Sequence, residues 1–276
     1  MISIQDRIQI IVATHKKYRM PDDPMYLPLH VGAEGKTDEQ GNPLDLGYMK
    51  DNIGENISEK NSGYCELTGL YWAWKNLKSD YIGLAHYRRH FTNGSKTKDP
   101  FDSILTYSQI EPDLGVYRVF VPQKRHYYIE TLASHYAHTH YIEQLDKTRE
   151  IIANKYPDYV EIFDQVIQQR SGYMFNMMIM RRADLDRYCT WLFDILFELE
   201  KQIDSSELSA FQQRYPGRIS EIIFNVWLQY QIKTQQIDRA EIKELPYANM
   251  EKTNWFKKGG AFLKAKFFHK RYEGSF

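Results

Sequence analysis

The segment Tyr81-Ile-Gly-Leu-Ala-His-Tyr-Arg-Arg-His90 constrains this chain more than any other, because a short apolar strand runs there straight into two arginines and two histidines. Open α/β sheets bind ligands beyond the carboxyl ends of their strands, so a strand of this kind delivers cationic donors to a ligand edge. An anion is the natural partner. Arg88 and Arg89 offer planar forks to phosphate oxygens, and His86 and His90 add donors that respond to pH. The same residues would also suit a solvated strand end, and the preceding context tips the balance.

That context is Asp51-Asn-Ile-Gly-Glu-Asn-Ile-Ser-Glu-Lys-Asn61, polar and turn-prone, followed by Tyr64-Cys-Glu-Leu-Thr-Gly-Leu-Tyr-Trp-Ala-Trp-Lys75. Leu67, Leu70, Tyr71 and Trp74 recur at helical spacing, which predicts an amphipathic helix entered from a loop. In this order the segments NISEKN, CELTGLYWAWKN and YIGLAHYRRHF resemble bacterial glycosyltransferases of capsular and exopolysaccharide synthesis. The resemblance continues through SHYAHTHYIEQLD, SGYMFNMMIMRRADLDRYCTWLFDILFELE and RISEIIFNVWL, and covers most of residues 8 to 230. It implies an α/β fold of the GT-A-like kind, a mixed sheet flanked by helices. It also implies a nucleotide-sugar donor and a saccharide or lipid-linked acceptor.

Lys plus Arg and Asp plus Glu both number 36, so no global field draws the chain to nucleic acid, and any basic function is local. The two cysteines, Cys65 and Cys189, lie far apart without metal-ligand spacing, as expected of reduced, packed thiols. Asp6 and Arg7 interrupt any secretion signal, and no apolar run reaches about 18 residues. A cytosolic protein is the expectation. Twenty-one tyrosines and five tryptophans exceed what core filling needs and suit stacking on sugars.

Residues 8–14 read as a buried first strand, and the resemblance makes Thr14 and His15 at its end donor-site candidates, with Asn56, Asn61 and His86. Residues 20–60 read as long loops and short strands, and residues 101–120 as a short helix and a strand, Leu114–Val121. Ile129–Gln169 has helical periodicity broken at Pro157, Gly172–Met180 reads as a strand, and Ala183–Ile203 as an amphipathic helix. A last helix is expected from Ser220 to about Lys233. Residues 1–235 are thus expected to form the GT-A-like domain and 236–276 a C-terminal tail. Asn254–Tyr272 mixes aromatic and basic residues as an interfacial membrane segment does, although Gly259 and Gly260 weaken a helix there.

Glycosyl transfer must neutralise a departing diphosphate and deprotonate the attacking hydroxyl. Most GT-A enzymes hold a divalent metal with an Asp-x-Asp at a strand end. Here the only such motif, Asp184-Leu-Asp186, falls in the first turn of the long helix, where carboxylates complement the helix dipole. His86, Arg88 and Arg89 stand at the strand end instead, so a metal-independent transfer is expected, with Mn²⁺ or Mg²⁺ as the alternative. His135, His138 and His140 do not suit zinc, since on a helix His140 points about 140 degrees from His135. By resemblance His135 and His140 contact phosphate or acceptor. Asn176 and Arg218 are further contact candidates, and Glu221 beside Arg218 is the expected general base. Transfer of a hexose, first galactose from a UDP donor, follows on family grounds, and inversion by direct displacement is expected because Glu221 supplies a base and no second carboxylate is evident for a covalent intermediate. A non-catalytic carbohydrate-binding module is the alternative class. A phosphate-handling hydrolase lacks the acids to hold Mg²⁺.

Overall fold

A computed structural model describes residues 3–251. Its strands are β1 (Ile8–Thr14), β2 (Tyr26–His30), β3 (Met49–Lys50), β4 (Tyr81–His86), β5 (Arg89–Phe91), β6 (Val119–Pro122), β7 (Arg125–His126), β8 (Ser171–Gly172), β9 (Met178–Arg181), β10 (Ile242–Leu245) and β11 (Tyr247–Asn249). Its α-helices are α1 (Ile4–Arg7), α2 (Asn61–Tyr64), α3 (Leu67–Asn76), α4 (Tyr107–Ile110), α5 (Leu132–Ala137), α6 (Ile142–Lys155), α7 (Val160–Ile167), α8 (Arg182–Gln202) and α9 (Tyr215–Lys233).

The main sheet runs β10-β6-β9-β4-β1-β2-β3, with β5 and β11 added beyond β4. β1 pairs in parallel with both β2 and β4, and β9 lies antiparallel between β4 and β6. Both faces of β1 are covered. Ile11 and Ala13 enter the core under the helices, whereas Ile8, Ile10 and Val12 enter a second core on the other face. A strand buried on both faces has no polar register, which is why β1 reads as a continuous apolar run. Gly69 lets α3 approach the sheet, because a Cβ there would lie 2.9 Å from Val31 and 3.1 Å from Ile11.

The topology fixes one functional edge. β1, β2, β4, β6 and β10 all end there, and antiparallel β9 begins there. At the opposite edge, buried Asp184 at the start of α8 binds Arg118 at 2.6 Å and Arg187 at 2.6 Å, with Arg181 at 3.4 Å. The Asp-x-Asp sequence is therefore a helix anchor, its second carboxylate taking Trp74 Nε1 at 3.0 Å and Arg182 at 3.1 Å.

Four expectations are corrected. The strand expected over Gly172–Met180 is two strands, β8 and β9, separated by a turn in which Phe175 and Asn176 have φ of 74° and 54°. The last helix starts at Tyr215 with Pro216 in its first turn, so Ser220 lies inside α9. Helical structure between Ile129 and Gln169 breaks after Ala137 as well as near Pro157. Past residue 235 the chain returns to the sheet, β10 beside β6 and β11 beside β5. Residues 254–272 lie outside the described residues.

The loops before α3 are gathered by one buried carboxylate. Asp51 accepts the amides of Gly32 at 2.8 Å and Ala33 at 3.1 Å, the Thr68 hydroxyl at 2.7 Å, and the Ser58 hydroxyl. Replacing Asp51 by Ala strands these donors, and unsatisfied buried donors next to a lost charged acceptor cost about 3 kcal/mol or more in total. An unfolding free energy from urea denaturation that changes by less than about 1 kcal/mol would contradict this assignment.

Burial also pushes His90 and His140 down to about 4. Both are neutral in the folded chain at pH 5, while an unfolded histidine protonates below about 6.5. The unfolded state then binds more protons, so stability should fall as pH drops from about 6.5 to 4, by roughly 2 kcal/mol per histidine at pH 5. Urea denaturation at pH 7 and pH 5 measures the difference. Equal stability at the two values would mean that these rings are solvated.

Candidate active site

The carboxyl end of β4 supplies His86, and the turn before β9 closes over it. His86 Nε2 donates to the Phe175 carbonyl at 2.6 Å. Its imidazole is held below the usual histidine range by burial, an effect that the nearby Glu66 opposes. The Phe175 ring carries the Arg89 guanidinium 3.7 Å above its centre, with Arg125 at 6.0 Å. Arg89 is further fixed by its Nε bond of 3.0 Å to Asn249 Oδ1 on β11. The strand added after α9 therefore braces an arginine of the β4 cluster.

Asn176 follows Phe175 and spends both of its amide protons on protein. Its Nδ2 donates to Glu66 Oε1 at 2.7 Å and to the Gly217 carbonyl at 3.1 Å, and its Oδ1 accepts the Ser220 hydroxyl at 2.8 Å. Expected inside a strand, Asn176 sits in a turn, and it holds Glu66. Arg218, the next residue after Gly217 in α9, binds Glu221 one turn further on at 3.1 Å, and Glu221 is 6% exposed. Glu221, ahead of burial, raises the Arg218 guanidinium; Glu66 adds to the effect. Burial lowers Arg89, with Glu221, Tyr247 and Glu66 acting in the opposite sense.

His86, Arg89, Asn176, Arg218 and Glu221 are thus brought together, joined by Glu66, Arg125 and Tyr247. Three arginines face two carboxylates, leaving an excess of positive charge beside a neutral imidazole. This arrangement can hold an anion with oriented forks and has carboxylates in reach to accept a proton.

The other candidates form the surroundings. Thr14 closes a turn, its hydroxyl bonding Lys16 O at 2.6 Å, and His15 meets Tyr87 edge-on at 5.4 Å. Burial, then Lys16 and Arg88, lowers the His15 imidazole. Arg88 is exposed and 3.6 Å from Glu251. Asn56 and Asn61 bond backbone within their own loops, Asn56 to Gly54 O at 2.9 Å and Asn61 to Cys65 O at 2.7 Å. Glu130 takes His135 Nδ1 at 2.8 Å on one oxygen and His138 Nδ1 at 2.7 Å on the other. His135 also stacks on Tyr127 at 4.2 Å and feels Arg125 and Glu221, which puts it on the rim of the cluster. His140 lies past the end of α5, buried between Tyr136 and Phe211. Among the described residues, no group of three or more His, Cys, Asp or Glu side chains is placed to hold a metal ion.

Glu66, Arg125, Glu130 and Tyr247 escape the sequence reading. Glu66 had a signal: it is the single acid in the otherwise apolar stretch Cys65–Ala73. Arg125 had one too, in the basic run Lys124-Arg-His126 just after a strand.

The apo structure of the bifunctional glycosyltransferase WbbM superposes with a TM-score of 0.77 at 28% identity, over 89% of this chain and 46% of that one. The chain thus spans about half the length of that protein. The fold is the expected GT-A-like mixed sheet flanked by helices, with α8 and α9 in the C-terminal part. No curated protein matches the chain. No helix among the described residues is long and apolar enough to cross a membrane. The profile of the family described as a domain of unknown function, DUF4422, spans residues 9–233 and so takes in every element from β1 to α9, which makes this chain a member of that family.

Proposed function

We propose that this chain is a glycosyltransferase that moves a hexose from a nucleotide sugar to a saccharide acceptor, free or lipid-linked. The observation that carries the reading is the meeting of Arg89, Arg125 and Arg218 with Glu66 and Glu221 at the carboxyl edge of a GT-A-like sheet. The likeness to the WbbM transferase supports it. The anomeric carbon–oxygen bond breaks toward the diphosphate, whose growing charge the arginines meet. The acceptor oxygen then bonds to the anomeric carbon, and its proton passes to Glu221, which Arg218 holds at 3.1 Å. UDP-galactose, in pyranose or furanose form, is the first donor to try, and capsular or exopolysaccharide synthesis is the proposed setting.

The sequence alone favours inversion, because it shows no second carboxylate beside Glu221. Glu66 is that second carboxylate, so direct displacement now rests on Glu221 alone acting as the base. Product configuration by NMR separates it from a double displacement, which would retain configuration.

Titration with UDP, GDP and CDP tests the donor class. One nucleotide should bind and should keep binding in EDTA, because arginines stand where metal-holding acids would. Arg89→Ala should then cost turnover about a hundredfold, the usual loss for one preorganised donor to a developing anion. Donor affinity that vanishes on chelation and returns with Mn²⁺ would overturn the metal-independent reading.

Glu221→Gln keeps the side chain's size and removes the base. Turnover should fall by about 10² to 10⁴ while nucleotide affinity stays within twofold. Near-normal transfer by a folded variant would move the base elsewhere. Nucleotide-sugar binding by the wild type without any transfer or hydrolysis would favour the carbohydrate-binding module.

A further inference from the structure

We infer that Glu66 anchors the hydroxyl groups of a neutral sugar in this site, an inference that rests on the glycosyltransferase reading. Two strained pieces of backbone converge on its carboxylate. On its own side, Cys65 sits at φ 52° and ψ −128°, outside the comfortable regions for a residue with a Cβ. That kink is held by Asn61 Nδ2 and the Thr68 hydroxyl on the Cys65 carbonyl, at 2.7 and 3.2 Å, and by Arg214 Nε on its sulfur at 3.0 Å. On the other side, Phe175 and Asn176 both have positive φ. Such conformations are unfavourable for residues with a Cβ, and strain of this kind gathers where a side chain must be aimed.

What is aimed is one carboxylate oxygen. Glu66 occupies the cap position of α3, yet its side chain makes no capping bond. Asn176 holds Oε1 at 2.7 Å, and both Asn176 amide protons are spent, on Glu66 and on the Gly217 carbonyl. Oε2 has no hydrogen-bond partner among the described residues, and Glu66 is half-buried. An ionised carboxylate accepts hydrogen bonds and donates none. It therefore repels a diphosphate and selects hydroxyl donors, and Arg89 and Arg218 near it keep the diphosphate on their own side. A ring sugar presents vicinal hydroxyls to such an oxygen. The sugar is either that of the donor or that of the acceptor.

Glu66→Gln separates these. Glutamine still offers Oε1 to Asn176 but turns the outward acceptor into a donor. UDP alone should bind within twofold of wild type, and the melting temperature should be kept. With UDP-galactose and a panel of methyl glycosides as probes, KM for one sugar should rise about tenfold or more, the usual worth of a hydrogen bond to a charged group. A raised donor KM, with faster loss of hydrolysis when acceptor is absent, assigns the donor sugar; a raised acceptor KM alone assigns the acceptor. Both KM values within twofold of wild type would overturn the inference, and so would a fall in kcat with both KM values unchanged. If Glu66→Gln does not fold, Glu66→Asp, which keeps the charge and shortens the reach, should give the same split with a smaller rise. A wild-type chain that neither binds nor turns over any of the nucleotide sugars overturns the glycosyltransferase reading itself, an outcome distinct from an active enzyme indifferent to Glu66.

Discussion

The carboxylate of Asp51 is the interaction on which the ligand edge depends. It is fully buried and takes four donors from three different segments, with no lysine or arginine paired to it among the described residues. A buried anion satisfied by fixed dipoles has no cheap alternative geometry, since displacing any donor leaves charge desolvated. The consequence spreads outward. Thr68, which binds Asp51, also reaches the Cys65 carbonyl, as does Asn61, and Asn61 packs against Gly32. Gly32 has φ 65°, and a Cβ there would lie 2.5 Å from the Asn61 side chain. Asn61 of the NISEKN segment thus serves to shape the approach to Glu66, although it was expected to touch the donor.

The two edges of the sheet divide the charge unequally. At the edge where β4 begins, Asp184 gathers Arg118, Arg181 and Arg187, and Glu241 adds a second acid on Arg118 at 3.2 Å. That cluster fastens α8 to β6 and β9 and saturates its cations. At the carboxyl edge, Arg89 and Arg125 lie over aromatic rings, with no carboxylate bridged to either among the described residues. Stacking holds a guanidinium in place without neutralising it. A chain with equal numbers of acids and bases can present an anion site in this way, by pairing its arginines at one edge and leaving two stacked and unbridged at the other.

Much of this was legible in the sequence, for physical reasons that differ by element. β1 and β4 show as apolar runs because both faces are buried, and the arginines that end β4 show because nothing apolar masks them. The turn at Tyr173–Met177 did not show. Its residues are apolar apart from Asn176 and flank a true strand, and positive φ at Phe175 leaves no mark when no glycine is used. The start of α9 had two competing signals, Pro216 near a first turn and Ser220 as a cap. Proline won, because the Ser220 hydroxyl is taken by Asn176 and by the Gly217 carbonyl, three residues back within the helix. Long-range partners decide such cases, and a single sequence does not display them.

The turn at Phe175 and Asn176 joins the halves of the site. The Phe175 carbonyl takes the His86 proton, its ring carries Arg89, and the next residue fixes Glu66 and, through Ser220 and Gly217, the first turns of α9 that bear Arg218 and Glu221. Cationic and anionic halves are therefore placed by adjacent residues of one strained turn, and their relative position has little freedom. For glycosyl transfer this matters, because the diphosphate must sit on the arginines while the reacting hydroxyl sits within reach of a carboxylate, and an error of about an ångström between them is costly in rate. A turn built from glycine would adopt these angles without strain but could offer neither the ring under Arg89 nor the amide that holds Glu66.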